Sequence, residues 1–182
     1  MFSNPFKKNK KPEYDVTNLS ILDLNVGFVF DYDMKSWVVE EAYEYDWGSN
    51  HFSKEYKINS GDDVAFLSVE DDGDLNISLT KSIKLRAIEE NVLEEVTKNK
   101  KAPKTIHFQK ESYYLESDSA GYFREMGTSE DSWEELISWE YFNEDEDKIV
   151  CLTQWDDYNV EASAGAVIES HQVSDILPGA RD

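Results

Sequence analysis

At 182 residues, with 40% hydrophobic and 13% aromatic side chains, the chain has the length and composition of one folded domain rather than a disordered polymer. Its formal net charge of -21 excludes a phosphate-binding surface for nucleic acid, and its single cysteine, Cys151, excludes an intramolecular disulfide framework. No apolar run approaches the roughly 20 residues of a membrane helix, and no apolar stretch follows the N-terminal lysines as in a secretory signal, so a cytoplasmic protein is expected.

Residues 1–13 read as a flexible basic tail, with Pro5, Pro12 and four lysines. Phe2 and Phe6 beside Lys7, Lys8, Lys10 and Lys11 offer weak, salt-sensitive contact with an anionic membrane surface, at about 1 kcal/mol per basic residue. The plainer reading is a solubilising terminus. Residues 14–178 are then expected to form a single domain.

After the apolar lead-in Leu19 to Leu24, the residues Val26, Phe28, Phe30 and Tyr32 alternate as in a strand with one buried face. From Trp37 the alternation places Trp37, Val39, Tyr43, Tyr45 and Trp47 on one side and Val38, Glu40, Ala42, Glu44 and Asp46 on the other. Turns at 48–50 and 59–63 separate the next strands, and close turns without crossover segments imply an antiparallel meander over 19–80. The period then changes. Leu85, Ile88, Val92 and Val96 sit three to four apart, with Glu89, Glu90, Glu94 and Glu95 on the wet side, which predicts an amphipathic helix over 81–101 stopped by Pro103. Strands resume over 105–170: Ile106 and Phe108, Tyr113 to Glu116, Tyr122 to Met126, Trp133 to Tyr141 and Ile149 to Trp155, with Ser117 to Gly121 as a turn. Pro178-Gly179 and the terminus are expected to dangle.

The segment Phe66 to Ser78 returns as Cys151 to Ser163. At an offset of 85, Leu67 falls on Leu152, Ser68 on Thr153, Asp71 and Asp72 on Asp156 and Asp157, and Leu75 on Val160. Upstream of each copy lies an aromatic-acidic segment, Phe52 to Tyr56 and Trp133 to Leu136. The expected class is therefore α+β, mainly β, with antiparallel strands in two related units around one central helix.

For chemistry the chain is poor. His51, His107 and His171 are isolated, and no paired Cys or His spacing suggests zinc. The acidic turns 71–74 and 143–147 lack the alternating acids and sixth-position glycine of a calcium loop and read as solvated turns. Cys151, set among Ile149, Val150 and Leu152, reads as an inert buried thiol. No cofactor is expected, no metal site, and no catalytic residue. The aromatics are the remaining lead. Trp47 and Trp155, with the acidic pairs Asp71-Asp72 and Asp156-Asp157, are the candidate interaction residues.

The strand Phe52-Ser53-Lys54-Glu55-Tyr56, leading to Phe66-Leu67-Ser68-Val69-Glu70, resembles the bacterial family catalogued as domain of unknown function 4178. There a Trp-Glu-Glu-Tyr-like strand precedes a Trp-Leu-Ser-Val-like one, and here Phe52 and Phe66 stand where tryptophan is usual. The resemblance implies a β-rich cytoplasmic accessory domain accompanying membrane-associated stress proteins, with no catalytic residues to carry over. The first expectation is a non-enzymatic module binding a protein partner with a basic surface. The alternatives are an acidic inhibitor or immunity-type protein that mimics nucleic acid, and a small-ligand-binding β domain with a concave pocket.

Overall fold

The structure, a computed structural model, describes residues 18–99, 101–129 and 132–179. The tail 1–13 therefore lies outside the described residues. Among the described residues, eleven strands form one antiparallel sheet, with a single α-helix. The first five, β1 (Val29–Tyr32), β2 (Lys35–Asp46), β3 (Phe52–Asn59), β4 (Val64–Asp71) and β5 (Leu75–Ile83), make a meander. After the helix α1 (Val92–Asn99) come β6 (Thr105–Phe108), β7 (Glu111–Glu125), β8 (Glu134–Phe142), β9 (Lys148–Gln154) and β10 (Val160–Val167), a second meander. Strand β10 pairs with β5 and joins the two, and β11 (Ser174–Leu177) pairs back onto β1.

One further pairing decides the architecture. The end of β2 pairs with the end of β7, from Tyr43 opposite Glu125 to Asp46 opposite Tyr122. The order β2-β3-β4-β5-β10-β9-β8-β7 then returns to β2, which is an eight-stranded closed barrel. Two long strands make this possible. The start of β2 pairs with β1 and the start of β7 with β6, so each long strand changes partner along its length. Gly121 sits at the seam, where a Cβ would come within 2.6 Å of the Trp47 ring and 2.8 Å of the Asp46 carbonyl oxygen. Arg124 clamps the same seam from β7, donating to Glu44 of β2 at 2.7 and 3.0 Å, with its guanidinium stacked 4.5 Å from the Trp133 ring centroid.

The apolar cores lie outside the barrel. One packs Leu67, Val69, Ile77 and Leu79 of the wall against Ile21, Phe28 and Phe30 of the leading segment and β1, and against Ile168 and Val173. The other packs Trp139, Tyr141, Val150 and Leu152 under Val92 and Val96 of the helix and Ile106 of β6. Strand residues alternate between these layers and the barrel interior.

Several sequence expectations change here. The helix is Val92–Asn99, not 81–101, because Lys81 to Ile83 complete the pairing of β5 with β10 and Leu85–Ala87 is only a 3-10 turn. The expected helical stripe still reaches the core at Ile88, Val92 and Val96, while Leu93 is exposed. Ser117 to Gly121 is not a turn. It is the middle of β7, where serines at alternate positions suit the polar inside of the barrel. The aromatic face expected on β2 is divided by a register irregularity between Val39 and Glu41. One extra residue turns the rest of the strand over, so Trp37 and Val39 join the outer core with Ala42, while Tyr43, Tyr45 and Trp47 line the interior. The C-terminal segment does not dangle through residue 179, since Gly179 lies against Gly27, where a Cβ would meet that carbonyl oxygen at 2.0 Å.

The registers of the two meanders also revise the offset. Leu67 pairs with Leu79 as Leu152 pairs with Ala162, so Ile77, not Leu75, stands where Val160 does. Likewise Tyr56 faces Leu67 as Trp139 faces Leu152. The residue of the second meander in the register position of Tyr56 is Trp139, whereas the sequence pattern matches Phe52 to Tyr56 with Trp133 to Leu136.

Candidate functional site

The barrel interior holds a cavity of about 950 Å³, open to solvent and lined from all eight wall strands. An eight-stranded barrel has an interior that side chains can fill, or that can hold one small ligand. Here many inward positions carry small hydroxyls, among them Ser68, Ser78, Ser82, Ser119, Ser138 and Ser163, and the space stays open. The sequence alternation explains the wall. In Phe66-Leu67-Ser68-Val69-Glu70 the leucine and valine face the outer core, and the phenylalanine, serine and glutamate face in.

Aromatic rings run along one side. Trp47 stacks on Tyr45 at 5.4 Å between centroids, Tyr45 meets Phe123 at 5.3 Å, and Trp155 meets Phe123 edge-on at 5.0 Å. The indole nitrogens are satisfied within the site, Trp47 donating to Ser53 at 2.9 Å and Trp155 to Glu161 at 3.1 Å.

Four carboxylates, Glu55, Glu70, Glu140 and Glu161, line the same space, with no lysine or arginine among the lining residues. Burial pushes the Glu55 carboxyl up to about 7, the charge of Glu161 adding to the rise and the Tyr45 hydrogen bond opposing it. Glu140 is raised by burial and then by the charge of Glu70, and no protein hydrogen bond holds its carboxylate among the described residues. Glu70 is 2.8 Å from His51 Nε2. Cys151 lies opposite Glu140 across β8 and β9, and burial, followed by the charges of Glu140 and Glu55, drives its thiol well up. The apolar surroundings expected for Cys151 from Ile149, Val150 and Leu152 are not what its side chain meets, since it lines the polar interior while Val150 and Leu152 face the outer core.

The six candidate interaction residues do not form one surface. Strands β4 and β9 run in opposite directions, so the turns beyond them, with Asp71-Asp72 and Asp156-Asp157, lie at opposite ends of the barrel. All four aspartates are exposed. Asp156 folds its own turn by accepting the backbone N–H groups of Tyr158 and Asn159, both at 2.8 Å, which lowers its pKa. Trp47 and Trp155, by contrast, face the cavity. The turn at 143–147 is paired internally, with Asn143 donating to Asp147 at 2.7 Å and to Glu111 at 2.9 Å. His107 is held by Glu90, and His171 is exposed. Among the described residues no three His, Cys, Asp or Glu side chains converge on a metal position.

Sequence pattern alone misses the inward glutamates, because each sits in an alternating strand, where a charged residue reads as solvent-facing. The signal that marks them is the recurrence of serine or threonine on the same face two residues away, as in Ser68 and Glu70 or Ser138 and Glu140.

Residues 25–170 match the family described as a domain of unknown function, DUF4178. The chain belongs to this family. An uncharacterized protein of Aquifex aeolicus (strain VF5) is similar over 173 residues at 27% identity, covering 94% of this chain and 93% of its own. No solved structure matches the chain significantly. No helix among the described residues is long and apolar enough to cross a membrane.

Proposed function

We propose that this protein binds a small organic molecule inside its barrel. The cavity of about 950 Å³ carries the reading, because it combines a wall of rings with a few convergent polar groups. A barrel serving only as a scaffold has no use for an interior kept open by serines, since larger side chains there would add packing. The stack of Tyr45, Phe123 and Trp155 supplies an apolar seat, and the carboxylates of the lining, two of them bonded to these rings, fix orientation. The binding is read with N-phenyl-1-naphthylamine, a neutral dye that fluoresces in apolar sites. Saturable enhancement by the full chain, abolished in Ser163→Phe with the circular dichroism spectrum unchanged, supports the cavity. Equal dye binding by the two proteins overturns it.

We infer also that the two five-strand meanders derive from one duplicated unit. Support comes from their shared plan. Each starts with a short strand and a turn of two left-handed residues, Asp33-Met34 in one and Gln109-Lys110 in the other. Each continues into a long strand with an irregularity, at Val39/Glu41 and at Leu115/Ser117.

A further inference from the structure

We propose that the ligand is a linear aliphatic diamine or polyamine, whose separated ammonium groups pair with the carboxylates strung across the barrel interior. This rests on the cavity-binding reading above and names the class of molecule.

The lining holds Glu55, Glu70, Glu140 and Glu161, and its one basic group is His51, already engaged by Glu70. An anion entering this space would meet repulsion from all four carboxylates, and a neutral ligand without a donor would leave the Glu140 carboxylate without a partner. A cation satisfies both conditions.

Spacing then separates one cation from several. The carboxylates are not gathered at a point. Glu161 acts on Glu55, both Glu55 and Glu140 act on Cys151, and Glu140 in turn is acted on by Glu70. They are carried on four different wall strands, β3, β4, β8 and β10, with Glu161 bonded to Trp155 and Glu70 to His51. No three of the described acids, histidines or cysteines come close enough to hold a metal ion. A compact monocation cannot meet carboxylates spread over four strands all at once. A flexible molecule with amines spaced by methylenes meets several of them together.

The remaining surfaces fit the rest of that molecule. Methylene groups have rings to lie against in Tyr45, Phe123 and Trp155, and an ammonium near a ring face gains cation–π attraction. The serine and threonine hydroxyls between the acids accept the further N–H donors of each amine. Glu140, raised by burial and held by no hydrogen bond among the described residues, is the group with most to gain from an incoming ammonium.

Isothermal titration of the full chain with spermidine, 1,4-diaminobutane, butylamine and 1,4-butanediol tests this, beside displacement of N-phenyl-1-naphthylamine by the same compounds. The expected result is binding of spermidine and the diamine at least tenfold tighter than butylamine, with no detectable binding of the diol. Glu140→Gln and Glu161→Gln are each expected to weaken spermidine about five- to tenfold, whereas Asp71→Asn, on an exposed turn, leaves it unchanged. Glu140→Asp, which keeps the charge, retains most of the affinity and guards against loss of fold. If the dye binds but no amine displaces it, the diamine inference falls and the cavity reading stands. If neither dye nor amine binds, the cavity reading falls as well. If Asp71→Asn and Glu140→Gln weaken spermidine equally, the attraction is a general one to an acidic protein and the inference is overturned.

Discussion

The phenolic hydroxyl of Tyr45 donates to Oε1 of Glu55 at 3.0 Å, from β2 to β3 inside the barrel. The pair joins the ring stack to the acids of the lining, and it places an ionisable carboxyl in a site where charge is costly. Tyr45 of β2 bonds Glu55, Tyr43 of β2, Cys151 of β9 and Glu161 of β10 interact with it electrostatically, and Glu70 of β4 and Glu140 of β8 line the same cavity.

The pH dependence has a definite sign. Glu55 is raised from 4.5 to about 7 in the folded chain, so the folded state holds its proton more tightly than the unfolded state does. The stability it contributes is fully present below 4.5 and is lost as pH rises through 7. Thermal melts of the wild type should therefore lose stability between about pH 5 and 8. Glu55→Gln should flatten that slope and be about 2 kcal/mol more stable than wild type at about pH 8, a figure already reduced for water in the cavity. The variant-minus-wild-type difference is the readout, because the overall negative charge acts on both proteins alike.

Seam substitutions should open the barrel before they unfold it. Gly121→Val drives a side chain into the Trp47 ring and the Asp46 carbonyl, where even a Cβ has no room. Arg124→Ala leaves Glu44 without its two hydrogen bonds and should cost about 1–2 kcal/mol. Hydrogen exchange by mass spectrometry should show faster exchange at Tyr43 to Asp46 in both variants, with β4 and β9 protected as in wild type.

The outer and inner faces of one strand should respond differently to truncation. Leu152→Ala removes a fully buried side chain from the outer core and should cost about 2–4 kcal/mol in urea unfolding. Thr153→Ser, one residue on and facing the cavity, should stay within about 0.5 kcal/mol of wild type.

Cys151 should be slow toward thiol reagents in the folded chain. Burial and the charges of Glu140 and Glu55 disfavour its thiolate, which is the reactive form. Reaction with a disulfide reagent at about pH 8 should take hours for the native protein and minutes in denaturant. A neutralising pair, Glu55→Gln with Glu140→Gln, should quicken the native reaction.

Much of the fold can be read from local pattern. Alternation at Phe66 to Glu70 and at Ile149 to Trp155 marks wall strands, and Val92 and Val96 mark the helix face. Closure cannot be read that way, because it depends on Tyr43 to Asp46 meeting Tyr122 to Glu125 from the other half of the chain, and each segment alone looks like half of an ordinary hairpin. The irregularity at Glu40 hides the inward turn of Tyr43, since the odd-numbered apolar series resumes at Tyr43 after a single interruption at Glu41. The site is hidden by a correct rule with the wrong reference. Polar residues in alternating strands ordinarily face solvent on the outside of a sheet, and here they face the barrel interior.

The barrel wears its apolar layers on the outside, beneath β1, β11 and the helix, and keeps its polar residues within. Adhesion of the chain to itself and the chemistry of the interior are thus encoded in alternate letters of the same strands. A descendant can exchange a serine for a threonine, or a glutamate for a glutamine, on the inner series while the outer series stays intact. Such a scaffold is a vessel that evolution, or a designer, can refill without recasting its walls.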